Sequence, residues 1–379
     1  EVSTYRSDKN YAPGRQNCIT SICKTLDEDL ARRDFTFNAL AVCPYSGEVI
    51  DPFNGRDDLN NRIVKFVGNP VERINEDYLR MIRAARFACL IEGSLDGAAF
   101  NAIRNHKYLV RKISPERIRI ELLKVMEYKT PSIFFDILHN TGILKILFSE
   151  LDVMYGFDGG IHHSETLDEH FKITGNALSP KTPLLRLIGY FHDIGKVPAY
   201  LGNEDKTFVN HEVLGAFMIK NIFTKYKFTN KEVEKAEKLV LFHMRSFDSL
   251  TSGKAVRKLL RVFTEENVNW KEWLKLKVAD KRANLAKEQY KREHIKKIAL
   301  KIYKSMRSPE RAFSVKDLKI SGHDIMETLD IKPGHLVGAI LIILLSKVLD
   351  NPELNDKDKL LEILRSEKWV RQAVEIRNS

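Results

Sequence analysis

From about residue 70 to its end, this chain spaces its apolar residues for helices rather than for strands, and that confines most of it to a helical body. Asn75 is placed to cap a helix whose inner face would be Leu79, Ile82, Ala85, Phe87 and Leu90. Ser114-Pro115-Glu116 opens another, with proline at a tolerated first-turn position and Ile118, Leu122 and Val125 facing inward. Further helices are predicted over 166–178, 184–192, 211–226 and 231–244, and a highly charged one over 281–304 in which Leu285, Ile295 and Ile298 are the sparse apolar contacts. Only the first 60 residues read differently. There, 2–5, 37–42 and 48–50 are strand-like, with Pro44, Ser46 and Gly47 forming a hairpin turn. Gly and Pro cluster at 156–160 and 198–202 and mark loops. The fold class expected is α+β, a small head followed by a mostly helical body.

A net charge of +11 and a pI near 9.3 suit an acidic partner, nucleic acid first of all, because neutralised phosphates dominate such binding. Cys18, Cys23, Cys43 and Cys89 show no paired metal-ligand spacing, which points to a reducing, cytosolic protein. The longest apolar run, 337–345, is far too short to span a bilayer. No signal peptide is expected, since no charged segment followed by an apolar one opens the chain. The first residue is Glu rather than Met, which hints at a missing start.

Three strings concentrate unusual polar residues. The first, Leu30 to Leu40, holds Arg32, Arg33, Asp34 and Asn38 where a strand begins. Guanidinium forks suit phosphates, and short polar side chains suit ribose hydroxyls. The same groups also suit a strand-edge salt bridge. The second, Asp51-Pro52-Phe53-Asn54-Gly55-Arg56-Asp57-Asp58-Leu59, reads best as a tight structural turn built on Asx hydrogen bonds. The third runs from Gly68 to Phe87. If Asp77 and Arg80 lie on one helix, they share a face three residues apart. The carboxylate could accept from the exocyclic amino group of cytosine or adenine, while the guanidinium donates to the ring nitrogen beside it. Uracil and guanine would turn a carbonyl toward the carboxylate. The bland alternative is an exposed ion pair contributing roughly 0.2–0.5 kcal/mol.

In order, these strings resemble R-R-D-F-T-x-N-A, D-x-x-x-G-x-x-D-L and E-D-x-x-R-x-x-R-x-x-R-F of the class II tRNA nucleotidyltransferase and bacterial poly(A) polymerase family. The lead-in Glu1 to Arg6, Tyr11 and Arg15, and Ser114 to Ile118 with Glu121-Leu122, are similar to it as well. The resemblance is close to about residue 150. It implies that Asp34 and Asn38 lie near the sugar, that Arg32 and Arg33 lie near phosphates, and that Asp77, Arg80, Arg83 and Arg86 contact the nucleotide. It further implies ATP and CTP as substrates, tRNA as partner and Mg²⁺ for nucleotidyl transfer.

One departure is large. The family opens with a Gly-rich strand-turn and a D-x-D pair that holds two Mg²⁺ ions. Here the D-x-D strings are Asp27/Asp29 and Asp356/Asp358, and neither follows such a turn. The expectation is a base-reading half without its metal half, catalytic carboxylates unassigned, with an N-terminal segment missing or supplied by another chain. Residues 1–379 alone are then expected not to transfer nucleotides.

His192-Asp193-Ile194-Gly195-Lys196 ends an apolar helix. His162, His163 and His170 precede it, and His211, His243 and Asp280 follow. Any one of these histidines would ordinarily be structural. Together they suit a divalent transition metal, which would activate water against a phosphate. The order H…HD…D resembles the HD phosphohydrolase superfamily, with His170, His192, Asp193 and Asp280 in the metal positions. His211 and His243 match the extra ligands of two-metal members. Some bacterial tRNA nucleotidyltransferases carry such a domain and hydrolyse ends such as 2′,3′-cyclic phosphates. Ile320 to Ile325, Lys332-Pro333-Gly334 and Val337-Gly338 resemble their tail. The resulting division is a head at 1–62, neck and body at 63–155, an HD domain at 156–305 and a helical tail at 306–379. Rival readings are a poly(A) polymerase and an HD phosphohydrolase with a non-catalytic RNA-binding head.

Overall fold

The computed structural model describes residues 6–9, 19–22, 25–160, 164–245, 250, 252–286, 291–307 and 312–366. The chain forms two compact units, Glu1–His243 with Lys275–Glu288, and Met244–Leu274 with Gln289–Ser379.

The first unit begins with three two-stranded sheets. Strands β1 (Arg6–Lys9) and β2 (Ile19–Ile22) pair antiparallel, with Arg6 opposite Ile22. The short helix α1 (Leu26–Ala31) follows. Strands β3 (Ala41–Val42) and β4 (Val49–Ile50) form the expected hairpin, closed by the Gly47 amide on the Cys43 carbonyl at 2.9 Å. The strand predicted over 37–42 is shorter than expected because Thr36–Asn38 forms a 3-10 turn. Its side chains explain that: the Thr36 hydroxyl donates to Asp58 at 2.7 Å and the Asn38 amide to Asp34 at 3.0 Å. After α2 (Gly55–Asn60), β5 (Ile63–Val64) runs parallel to β6 (Ser94–Leu95).

The helix expected to start at Asn75 is two helices, α3 (Pro70–Glu76) and α4 (Leu79–Leu90), and the cap is Asn69, whose side chain accepts from the Val71 amide. Asp77 breaks the run with extended backbone (φ −149°, ψ 106°) and accepts from the Leu79 amide at 3.1 Å. The inner face of α4 carries Leu79, Ile82 and Ala85 as expected, together with Met81 and Ala88, while Leu90 is exposed. The body continues through α5 (Gly97–His106), α6 (Pro115–Val125), α7 (Ser132–Thr141), α8 (Leu144–Leu147) and α9 (Ser149–Asp152). Next come α10 (Leu167–Ala177), α11 (Pro183–Phe191), α12 (Lys196–Leu201), α13 (His211–Lys225) and α14 (Asn230–Phe242). Capping boxes at Thr166/Glu169 and Thr229/Glu232 open α10 and α14, satisfying amides that a helix start leaves unpaired.

Body and later helices share one core. Phe135 packs on Tyr190 with ring centroids 4.5 Å apart, and Phe148 on Phe191 at 5.4 Å. Arg186, 1% exposed, fans its guanidinium onto the carbonyls of Met126, Tyr128 and Lys129 from the body and of Gly175 and Asn176 from α10. A planar, permanently charged fork can satisfy that many acceptors at once, which a lysine could not.

The second unit holds α15 (Gly253–Glu265), the first turn of α16 (Trp270–Ala283), α17 (Arg292–Arg307), α18 (Gly322–Leu329), α19 (His335–Asp350) and α20 (Lys357–Ser366). The rest of α16 belongs to the first unit. The single charged helix expected over 281–304 is thus interrupted. The Leu285 amide leaves the helical ladder and donates to Glu165 at 3.0 Å. Among the described residues, no helix is long and apolar enough to cross a membrane.

Candidate nucleotide and metal sites

In the head, the three polar strings come together around α4. Arg32 and Arg33 both pair with Asp29, at 2.7 and 3.0 Å. Asp34 uses one carboxylate oxygen for the Phe35 amide and Asn38, and the other for Arg83 at 2.5 Å. One turn earlier on α4, Arg80 donates to the Arg32 carbonyl at 3.3 Å, to the Arg73 carbonyl at 3.0 Å and to Glu76. The second string proves to be a brace. Asp51 accepts from the Gly55 and Arg56 amides at 2.7 and 3.0 Å, and a Cβ on Gly55 would lie 2.2 Å from the Thr36 carbonyl oxygen. Only glycine lets α2 approach that closely.

Asp77 and Arg80 do not share a helical face, because Asp77 sits in the break between α3 and α4. The break fixes Asp77 by other means, the Leu79 amide on one oxygen and Arg117 on the other at 2.6 Å. Both residues are nearly buried, at 7% and 9% exposure, so their polar edges are held rather than waving in solvent. Arg86 differs from its neighbours: it is buried, pairs with Glu121 and donates to the Tyr128 hydroxyl at 2.6 Å. Its guanidinium is spent on body packing, although Glu121 also lies 3.9 Å from Arg83, the partner of Asp34. Sequence reading missed Arg117 and Glu121 as partners, since each lies some 35 to 40 positions from the group it holds.

The second cluster lies where α10, α11, α13, α14 and α16 meet. His192 caps α11 and Asp193 follows it. Gly195 has ordinary helical backbone (φ −76°), so its contribution is space rather than a special turn: a Cβ there would lie 2.1 Å from the His211 carbonyl oxygen. One Asp193 oxygen lies 3.4 Å from His211 Nε2 and 3.3 Å from His243 Nε2. The other lies 3.3 Å from His192 Nε2, 3.5 Å from His170 Nε2 and 2.8 Å from Lys196 Nζ. Asp280 stands 3.2 Å from His170 Nε2 and 3.8 Å from His192 Nε2. All six residues assigned to metal are therefore neighbours. His162 and His163 lie outside the described residues.

The orientation of the rings tests whether they fit a metal. His192, His211 and His243 donate Nδ1–H to the carbonyls of Gly189, Phe208 and Val240 at 2.8, 2.7 and 2.6 Å. A carbonyl only accepts, so Nδ1 carries a proton, and in the neutral ring Nε2 is the nitrogen that presents a lone pair. The Nε2 atoms of His211 and His243 face each other at 3.2 Å, and that of His192 is buried without a hydrogen-bond partner among the described residues. A cation held between opposed lone pairs would satisfy both, so the rings fit a metal. Two sets, His170/His192/Asp280 and His192/Asp193/His243, bring their ligand atoms within 4.8 Å of one another. Burial disfavours a charged His192, yet Asp193 and Asp280 outweigh it and push that imidazole up to about 10. Burial likewise opposes the charge on Asp193, but His192 and Lys196 hold its carboxyl well below the usual range. The pocket thus calls for positive charge, which a divalent cation meets.

A family model described as "Poly A polymerase head domain" matches residues 1–65, one described as "Probable RNA and SrmB- binding site of polymerase A" matches 94–155, and an "HD domain" model matches 161–299. A CCA-adding enzyme of Ligilactobacillus salivarius is 25% identical over 369 residues, covering 96% of this chain and 77% of that protein. One of Limosilactobacillus reuteri is 44% identical over 131 residues, covering 35% of this chain and 32% of that protein. The crystal structure of Bacillus stearothermophilus CCA-adding enzyme in complex with CTP shares the fold, with a TM-score of 0.64, 20% identity, and coverage of 100% of this chain and 80% of that one. Head, RNA-binding and HD models thus follow one another along this chain, and it aligns along nearly its full length with a CCA-adding enzyme.

Proposed function

We propose that this chain serves the addition of C and A to the 3′ end of tRNA from CTP and ATP, and that its HD centre is a metal-dependent phosphohydrolase. The observation that supports the first part best is the nearly buried pair Asp77 and Arg80, each pinned by protein partners. Asp77 oxygens retain lone pairs for an exocyclic amino group, and Arg80 has further N–H donors for a ring nitrogen. Two fixed groups can thus choose the base without a nucleic-acid template. Asp34 and Asn38 are placed for sugar contacts, with Arg83 holding Asp34. Arg32 and Arg33, partly exposed, can exchange Asp29 for a triphosphate. Nucleotidyl transfer would use Mg²⁺. The outward face of α17, with Lys296, Lys297, Lys304 and Arg307 around Leu300 and Tyr303, suits an RNA backbone. A cytoplasmic location goes with this reading.

In the HD centre, His170, His192, Asp193, His211, His243 and Asp280 would hold the metal. A bound cation supplies Lewis acidity toward a phosphate and activates water. The buried Lys196 neutralises part of the Asp193 charge. Cyclic or terminal phosphates at RNA 3′ ends are the proposed substrates, so that damaged ends are cleaned before they are rebuilt.

The test is a tRNA lacking its terminus, incubated with labelled CTP and ATP and protein containing residues 1–379, beside hydrolysis of a 2′,3′-cyclic nucleotide. Addition limited to C and A supports the reading. Long A tails would indicate a poly(A) polymerase. Cyclic phosphate hydrolysis without any addition in the complete protein would leave a phosphohydrolase with an RNA-binding head.

A further inference from the structure

Three of the four imidazoles in the metal centre are oriented by a carbonyl three residues earlier in their own segment. His170 is the exception. Its Nδ1 lies 3.0 Å from Glu165 Oε1, a carboxylate 3% exposed. The other Glu165 oxygen accepts from the Leu285 amide at 3.0 Å and the Ser164 amide at 3.2 Å. Leu285 lies just beyond the end of the helix that carries Asp280, and Asp280 lies 3.2 Å from His170 Nε2. One buried carboxylate therefore holds the ring of one ligand and anchors the chain just beyond another. A buried charge is costly to desolvate, and a backbone carbonyl suffices to orient the other three rings.

We propose that Glu165 is the positioning residue of the metal centre. It keeps the proton of His170 on Nδ1, leaving Nε2 free to ligate, and it fixes the spacing between His170 and Asp280. This rests on the metal reading of the HD centre. Glutamine cannot replace it, although it has the same shape. With its oxygen facing the Leu285 amide, the glutamine side chain of Glu165→Gln turns its NH₂ toward His170 Nδ1. That nitrogen must then accept, which moves the ring proton to Nε2 and blocks ligation. The opposite rotamer sets NH₂ against the Leu285 N–H.

The experiment is Co²⁺ titration of metal-stripped protein, followed by calorimetry and by the visible Co²⁺ spectrum, for the parent, Glu165→Gln, His170→Ala and the double variant. Glu165→Gln is expected to weaken binding on the order of 10–100-fold and to alter the spectrum. In the His170→Ala background, the same substitution is expected to add almost nothing. Parent-like affinity in Glu165→Gln, or an undiminished effect of it without His170, would overturn the proposal. If Glu165→Gln does not fold, Glu165→Asp, too short to reach both partners, carries the same cycle. A parent that binds no Co²⁺ would instead remove the metal centre itself, and this proposal with it.

Discussion

Around α4, Asp34 meets Arg83, Asp77 meets Arg117 and Arg80 meets Glu76, so each acid has a base from the protein itself. Around Asp193, four imidazole nitrogens converge, three of them on rings whose Nδ1 donates to a backbone carbonyl, and among the described residues His192 Nε2 has no hydrogen-bond partner. The first cluster is electrostatically complete as it stands and can lend its groups to a ligand by exchange. The second would be completed by the cation proposed for it. Two groups of charged residues in one compact unit thus differ in what they demand, and burial together with ring orientation reveals it where residue type does not.

The largest expected effect breaks the comparison at its deeper end. Asp193→Asn removes the carboxylate at the centre of the four imidazoles and should lower 2′,3′-cyclic phosphate hydrolysis by at least about 10³-fold, the rate equivalent of the several kcal/mol a Lewis acid contributes. Nucleotide addition by the same variant should stay near parental levels. An equal loss in both assays would mean that the two clusters work as one.

Next comes a contrast within α4. Arg86→Met takes the buried partner from Glu121, which keeps Lys124 at 3.3 Å and Arg83 at 3.9 Å, and should cost about 1–3 kcal/mol in a urea melt. Arg83→Met, one turn away and with a partly exposed side chain, should cost about 1 kcal/mol or less while impairing nucleotide addition. A reversal of these two costs would contradict the division between packing and ligand exchange.

Base choice sharpens the comparison further. Asp77→Ala or Arg80→Ala should leave the protein folded and erode the preference for CTP and ATP over UTP and GTP. A mismatch at a desolvated polar group costs roughly 1–3 kcal/mol, and removing the group forfeits that discrimination. Unchanged selectivity in both variants would end the templating role. The smallest effect lies in the second unit. Replacing Lys296, Lys297 and Lys304 with alanine should flatten the slope of log K against log salt for RNA by about 2. An unaltered slope would show that α17 is only a solvated face.

The helical body after residue 70 is legible in the amino-acid order alone, because 3.6-residue periodicity survives whatever packs against it. The six groups of the histidine cluster are named through their resemblance to the HD order, and the fold brings them together. The break at Asp77 is not legible in the sequence. Helical propensity favours continuing through that stretch, and Arg117, brought in by α6, and the Leu79 amide hold Asp77 in the extended backbone there. Nor does the order of residues tell Arg86 from Arg83, identical side chains one turn apart whose fates depend on Glu121 and Asp34. Glu165 was silent for the same reason. Its meaning lies in reaching His170 and Leu285 at once, and residues 120 positions apart become neighbours only when the tertiary fold has closed.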